Sequence, residues 1–336
     1  MKDSVKLVAQ TLDFEHPERA PRQVWDVPWT YDVFPNEIAA LKKRFPEDIE
    51  WCPQLLLRQP ERQGEPTAVG VYVDEWGCRF ENRFKGIIGE VKEPLVRSDD
   101  WEEFGSVRFP DGLLRPDVDA VNAYCRESDK FVLSCSTVRI FERLQFIAGT
   151  EKVLMDLLIR PEGMTKAIGK LHAFFCEELE AWAKTDVDGL FIQDDWGSQR
   201  SLIISPALWL ELFKPLYRDY AEIAARKGKR VFMHSDGYIL DIFPHLIDIG
   251  IDAVNSQLFC MGVENLRPFK GKITFWGEID RQGVLPSGSI EDVASAVRSV
   301  KDNLWKDGGC IAQSDFGIGV KPENVFHVFE TWEKIV

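Results

Sequence analysis

Residues 188–237, DGLFIQDDWGSQRSLIISPALWLELFKPLYRDYAEIAARKGKRVFMHSDG, decide the fold. An apolar run through Leu190, Phe191 and Ile192 ends at two carboxylates, Asp194 and Asp195. Ser205 then precedes Pro206, a capping side chain followed by a residue preset for the first helical turn. Pro215 predicts a kink inside that helix. After it a second apolar run, Val231–Met233, stops at His234, Ser235 and Asp236. Strand, helix and strand in this order form a parallel unit.

The rhythm extends in both directions. Ile168, Leu171, Phe175, Leu179 and Trp182 keep helical spacing before the first run. Leu240, Phe243, Leu246 and Ile247 do so after the second, and IDAVNSQ (251–257), KITFWGEID (272–280) and GGCIAQSD (308–315) read as further strands. Between the last two, Ser289 and Asp292 form a capping-box start to a helix carrying Val293, Val297, Val300 and Leu304. In the first half, VWDVP (24–28) and FVLSCS (131–136) read as strands. The alternating, glycine-punctuated stretch between them predicts a β-rich insertion at about 67–98. The fold class is therefore α/β: a TIM-like (β/α)8 barrel spanning 1–336 as one domain, with an open doubly wound sheet as the alternative.

The 336 residues are 45% hydrophobic, enough for a sizeable core, and carry a formal net charge of −14. That charge, without any Lys/Arg-rich run, excludes nucleic-acid phosphate and anionic membrane surfaces as partners. There is no run of about 18 apolar residues and no signal-peptide block near the start. The seven cysteines are scattered without CxxC, a pattern that suits a reduced, cytoplasmic protein.

A barrel assembles its active site at the C-terminal ends of its strands. Those ends carry Asp194 and Asp195, His234 and Asp236, Asn255 and Gln257, Glu278 and Asp280, and Gln313, Ser314 and Asp315. The aspartates taken singly are equally readable as helix caps. Glutamate is a poor cap, so Glu278 reads as functional. Of the five histidines, only His234 stands where a barrel site is expected. His234, Asp236 and Glu278 would supply the three ligands of a catalytic zinc site; acid–base work by the same side chains without metal is the other option. Trp25, Trp29, Trp76, Trp196 and Trp276 are candidate pocket walls or ordinary core.

From about residue 5 to 334 the chain resembles the uroporphyrinogen decarboxylase-like superfamily. The phrases carrying the resemblance are HPERAP (16–21), the segment 133–164, DDWGSQ and its Ser-Pro-started helix (194–219), VFMHSDGYILDIFPHLIDIGIDAVNSQ (231–257), TFWGEIDRQGVLPSGSIEDV (274–293) and GGCIAQSDFGIGVKPENV (308–325). The resemblance implies a TIM-like barrel and one of two activities. These are decarboxylation of uroporphyrinogen without metal or cofactor, and methyl transfer assisted by zinc, with a corrinoid protein carrying the methyl group. The arginine-rich, carboxylate-binding phrase of the decarboxylases is replaced by VWDVPWTYD (24–32). In the zinc methyltransferases His234 matches a metal ligand, but Asp236 and Phe316 stand where cysteines are expected. DEWGCRFE, GEVKEP and FWGEID resemble corrinoid-dependent demethylase methyltransferases.

The resemblance thus implies a methyltransferase acting on a small substrate such as an aromatic methyl ether, with uroporphyrinogen decarboxylase or a related carboxy-lyase as the alternative. Asp194, Asp195, His234, Asp236 and Glu278 are the candidate catalytic residues. Trp25, Trp29, Trp196, Asn255, Gln257, Trp276, Asp315 and Phe316 are the candidate substrate contacts. No Asp-x-His-x-x-Gly motif is present, so the corrinoid is expected on a separate partner protein. A homodimer is compatible with the sequence.

Overall fold

The computed structural model describes residues 2–336. Eight parallel strands form the central sheet: β1 (Arg22–Asp26), β2 (Ile49–Trp51), β3 (Phe131–Leu133), β4 (Gly189–Gln193), β5 (Arg230–Ser235), β6 (Ala253–Ser256), β7 (Thr274–Trp276) and β8 (Cys310–Phe316). Pairing runs β1-β8-β7-β6-β5-β4-β3-β2, so the sheet curls into a nearly closed barrel inside a layer of helices. The open, doubly wound alternative is not realised. The seam between β1 and β2 is closed chiefly by one carboxylate. Asp48 accepts from the Arg22 backbone N–H at 2.8 Å and from both Arg19 guanidinium nitrogens at 2.6 and 2.8 Å. The Asp48 N–H in turn donates to the Arg22 carbonyl at 2.9 Å.

Strand β2 has no counterpart in the sequence reading. It is three residues, IEW, with a glutamate between two apolar side chains, too short and too mixed to show as a hydrophobic run.

Strand periodicity sorts the side chains. Ile49, Phe131, Leu133, Phe191, Phe232, Ala253, Trp276 and Ile311 point into the barrel and pack together. Val24, Val132, Leu190, Ile192, Met233, Val254, Phe275 and Phe316 point outward into the core beneath the helices. The N-terminal helix Asp3–Leu12 plugs the lower end, placing Val8 and Leu12 against the inner cluster. This is the apolar stripe of the sequence put to use.

The local signals act as their chemistry requires. The Ser205 hydroxyl accepts from Leu208 N–H, and the helix breaks at Phe213, where Pro215 begins a second one. Ser289 and Asp292 form the reciprocal capping box. The insertion is a three-stranded antiparallel sheet, Gly70–Val73, Arg79–Asn82 and Glu90–Glu93. Among the described residues, no helix is long and apolar enough to cross a membrane.

Candidate active site at the barrel mouth

The same alternation decides which strand-end residues reach the mouth. On β5, Phe232 and His234 share the inner face; on β4 and just beyond, Phe191, Gln193 and Asp195 do. His234 Nδ1 lies 2.7 Å from Asn255 Oδ1, and the Asn255 amide donates to the Trp276 carbonyl at 2.5 Å. With its amide nitrogen so engaged, Asn255 presents an oxygen to His234. Nδ1 therefore carries a proton, and Nε2 faces the mouth.

Across from Nε2 stand Asp195 Oδ1 at 3.5 Å and Asp236 Oδ1 at 3.7 Å. One ligand atom from each of Asp195, His234 and Asp236 lies within 4.8 Å of the others. A crossing of two loops makes this possible. The Gly197 N–H donates to the Asp236 carbonyl at 3.1 Å, and Tyr238 N–H to the Ser198 carbonyl at 2.7 Å. A Cβ on Gly237 would stand 2.2 Å from the Gly197 oxygen, and one on Gly197 would stand 2.4 Å from Tyr238 N. Only glycines allow backbones so close. Asp195 Oδ1 also accepts from the Asp236 N–H at 2.9 Å.

Glu278 is not a member of this group. It lies behind Arg281, whose guanidinium binds Asp236 and sits 3.4 Å from Glu278 Oε2. The acidic and imidazole groups that lie within ligand distance of one another are Asp195, His234 and Asp236, whereas the sequence reading grouped His234 and Asp236 with Glu278. Glu278 is 2% exposed, and its Oε1 has no hydrogen-bond partner among the described residues. Burial, and then the carboxylate of Asp315, push its pKa well above the usual carboxylate range. Burial also pushes Asp315 up to about 6.

Three other expectations place side chains on the wrong face. Asp194 points outward, where its carboxylate accepts from the backbone N–H of Phe141 and Glu142 at 3.0 and 2.8 Å and from Tyr217 Oη at 2.7 Å. It anchors the helix Ile140–Ala148 from outside that helix. Trp196 lies in the same outer layer, stacked on Phe141 at 4.3 Å and donating to Tyr217 Oη. Phe316 is fully buried against Phe34. All three sit one residue out of step with the inward face, and a one-residue offset reverses a strand side chain.

The remaining candidates divide. Trp25 faces the mouth, its ring 5.1 Å from that of His234. Trp276 closes the floor beneath it, donating to Gln23 Oε1 at 2.7 Å. Trp29 packs on Phe34 away from the His234 group. Gln257 accepts from Gln199 at the opposite rim. Asp315 and Trp25 stand opposite one another on β8 and β1. Both line a cavity of about 750 Å³ whose other walls include Trp51, Ile87, Arg281 and Ile318, a size suited to a small organic ligand.

Sequence reasoning missed Trp51, Arg281 and Glu142. Trp51 follows Ile49 on the inward alternation of the unread β2. Arg281 stands three residues after Glu278. Glu142, in the first turn of its helix, looks like ordinary helix chemistry, yet burial pushes it up to about 7 close to Asp195 and His234.

Comparison with known proteins places this geometry. Residues 67–335 match the family described as uroporphyrinogen decarboxylase (URO-D). No curated protein sequence matches the chain. Among solved structures, a methyltransferase from Methanosarcina mazei is similar over 98% of both chains, with a TM-score of 0.71 and 13% identity. A 3-keto-D-glucoside 4-epimerase from E. coli is similar over 72% of this chain and 97% of its own, with a TM-score of 0.39 and 15% identity.

Proposed function

The chain belongs to the uroporphyrinogen decarboxylase family, and from that premise we propose that it is a methyltransferase. It takes a methyl group from a small methylated substrate in the barrel mouth and hands it to a corrinoid on a separate protein. The observation that carries this reading is the Asp195–His234–Asp236 group. Its imidazole is held in the ligand tautomer by Asn255, and Asp236 Oδ1 is buried without a hydrogen-bond partner among the described residues. One nitrogen and two oxygen donors with an open side fit a divalent ion such as zinc. When bound, the ion would supply Lewis acidity at the barrel mouth.

The chain's own residues do the rest. Trp25 and Trp51 wall the cavity and seat the substrate. Arg281 ties Asp236 to Glu278 and so fixes the carboxylate facing His234. Glu142, its pKa pushed up to about 7 by burial, can return a proton to a leaving oxygen. The overall likeness to the Methanosarcina methyltransferase supports the same reading.

Decarboxylation is the competing activity, and it rests on the description of the matched family. A polycarboxylate substrate would need free cations. The cavity's arginine, Arg281, is already engaged by Asp236 and Glu278.

The test supplies the purified protein with aromatic methyl ethers and other methylated donors plus reduced cobalamin, and follows methylcobalamin by its absorbance. Methyl transfer that falls about 100-fold in His234→Ala is the expected result. Conversion of uroporphyrinogen to coproporphyrinogen without methyl transfer would overturn the proposal.

A further inference from the structure

The charges around the 750 Å³ cavity do not balance. Lys42 is held by Asp26 at 2.6 Å and Glu47 at 3.1 Å. Lys130 pairs with Glu50 at 3.2 Å, and Arg281 is shared by Asp236 and Glu278. Every lining cation is therefore engaged. Asp315, a lining carboxylate, has no salt-bridge partner among the described residues, although it is 9% exposed and its Oδ2 is buried without a hydrogen bond. Glu278 lies behind it with an unpartnered Oε1 of its own. A buried, unpaired carboxylate is costly unless an opposite charge completes it.

The wall beside this carboxylate is aromatic. Trp25 lies across the β1–β8 pairing from Asp315, and the Trp25 and Trp51 rings sit 5.5 Å apart at 58°. Two tilted indole faces attract a cation that cannot donate hydrogen bonds, and they do so best where water is excluded. A carboxylate beside such a pair completes a site for a bulky, weakly hydrated cation. A neutral ether would fill the same volume but leave Asp315 without a direct ion pair.

We propose that the cavity binds an organic onium, a quaternary ammonium or a sulfonium, with its charge against the cavity-lining surfaces of Trp25 and Trp51 and beside Asp315. On the methyl-transfer reading, on which this assignment of a donor rests, the onium is the methyl donor. The bond from methyl carbon to nitrogen or sulfur breaks, and its electron pair stays on the heteroatom. The new bond is formed by the electron pair of the acceptor corrinoid's reduced cobalt. The leaving group departs as a neutral amine or sulfide, so no proton is needed.

Choline and its neutral isostere 3,3-dimethylbutan-1-ol test this directly, each titrated calorimetrically into the full-length protein. Choline is expected to bind at least about tenfold more tightly, a preference lost in Asp315→Asn and retained in Asp315→Glu. Equal binding of the two probes by the wild type, or binding of neither, overturns the inference whatever the variants do. The result is independent of turnover. Choline-selective binding without methyl transfer keeps the onium site and removes the methyltransferase. Transfer from a methyl ether by a protein indifferent to choline does the reverse.

Discussion

Asn255 decides what His234 can do. Its oxygen accepts from His234 Nδ1 at 2.7 Å and its amide is pinned to the Trp276 carbonyl, so the imidazole has one tautomer and one orientation. Such outer partners set ligand basicity as well as geometry. In Asn255→Leu the ring keeps its carboxylate neighbours but loses its lock, and zinc affinity measured by competition with a chelating dye should fall about 10–100-fold. The variant should stay folded, since losing the buried pairing costs about 1–3 kcal/mol. Unchanged zinc affinity would show that the tautomer is set elsewhere. At this scale the sequence names the chemical groups but not their partners. His234, Asp195 and Asp236 stand out at strand ends; that Asp195 faces inward while Asp194 anchors a helix follows only once the alternation is carried one residue past each strand.

Among the elements, the decisive juxtaposition is made by loops. Strands β4 and β5 bring Asp195 and Asp236 to the same rim, but the crossing at Gly197 and Gly237 sets them on either side of His234 Nε2. Gly237 has φ +79° and its missing Cβ would meet the Gly197 carbonyl. Gly228 has φ +64° with open space around it, so it isolates the cost of the backbone conformation alone. Gly228→Ala should cost about 1–2 kcal/mol. Gly237→Ala should cost more and also abolish zinc binding by driving the two loops apart, as read by urea denaturation and metal titration side by side. Equal costs with zinc binding intact would mean that the crossing is not what holds the group together. Helix caps and most barrel strands were readable because each is a local pattern of apolar runs and turn chemistry. Strand β2, the loop crossing and the placement of Arg281 were not, because each depends on contacts between segments distant in sequence.

For the whole molecule, buried acids set the dependence of stability on pH. Glu178 sits fully buried inside its helix, accepting from Thr137 N–H at 2.7 Å and Thr137 Oγ1 at 3.0 Å. Burial pushes it up to about 8, and does the same to Asp194, up to about 7. Glu142 and Asp315 move in the same direction. A carboxyl whose pKa is raised on folding binds its proton more tightly in the native state. Its contribution is therefore complete below the unfolded carboxylate range and is lost as pH rises through the folded value, at about 1.4 kcal/mol per pH unit for each extra proton held. Glu50 and Glu75 are shifted downward, so what they contribute is lost only below about pH 4.5. The lowered pKa of His245 opposes the trend, but it is one near-surface group against several interior ones. Calorimetry of the metal-free protein should therefore show the melting temperature falling from pH 5 to pH 8. Glu178→Gln should flatten that slope, because its amide keeps the Thr137 N–H at oxygen and donates to the Thr137 hydroxyl without titrating. A melting temperature that rises over the same interval would place the titrating protons outside the core, and a slope unchanged in Glu178→Gln would remove Glu178 from among them.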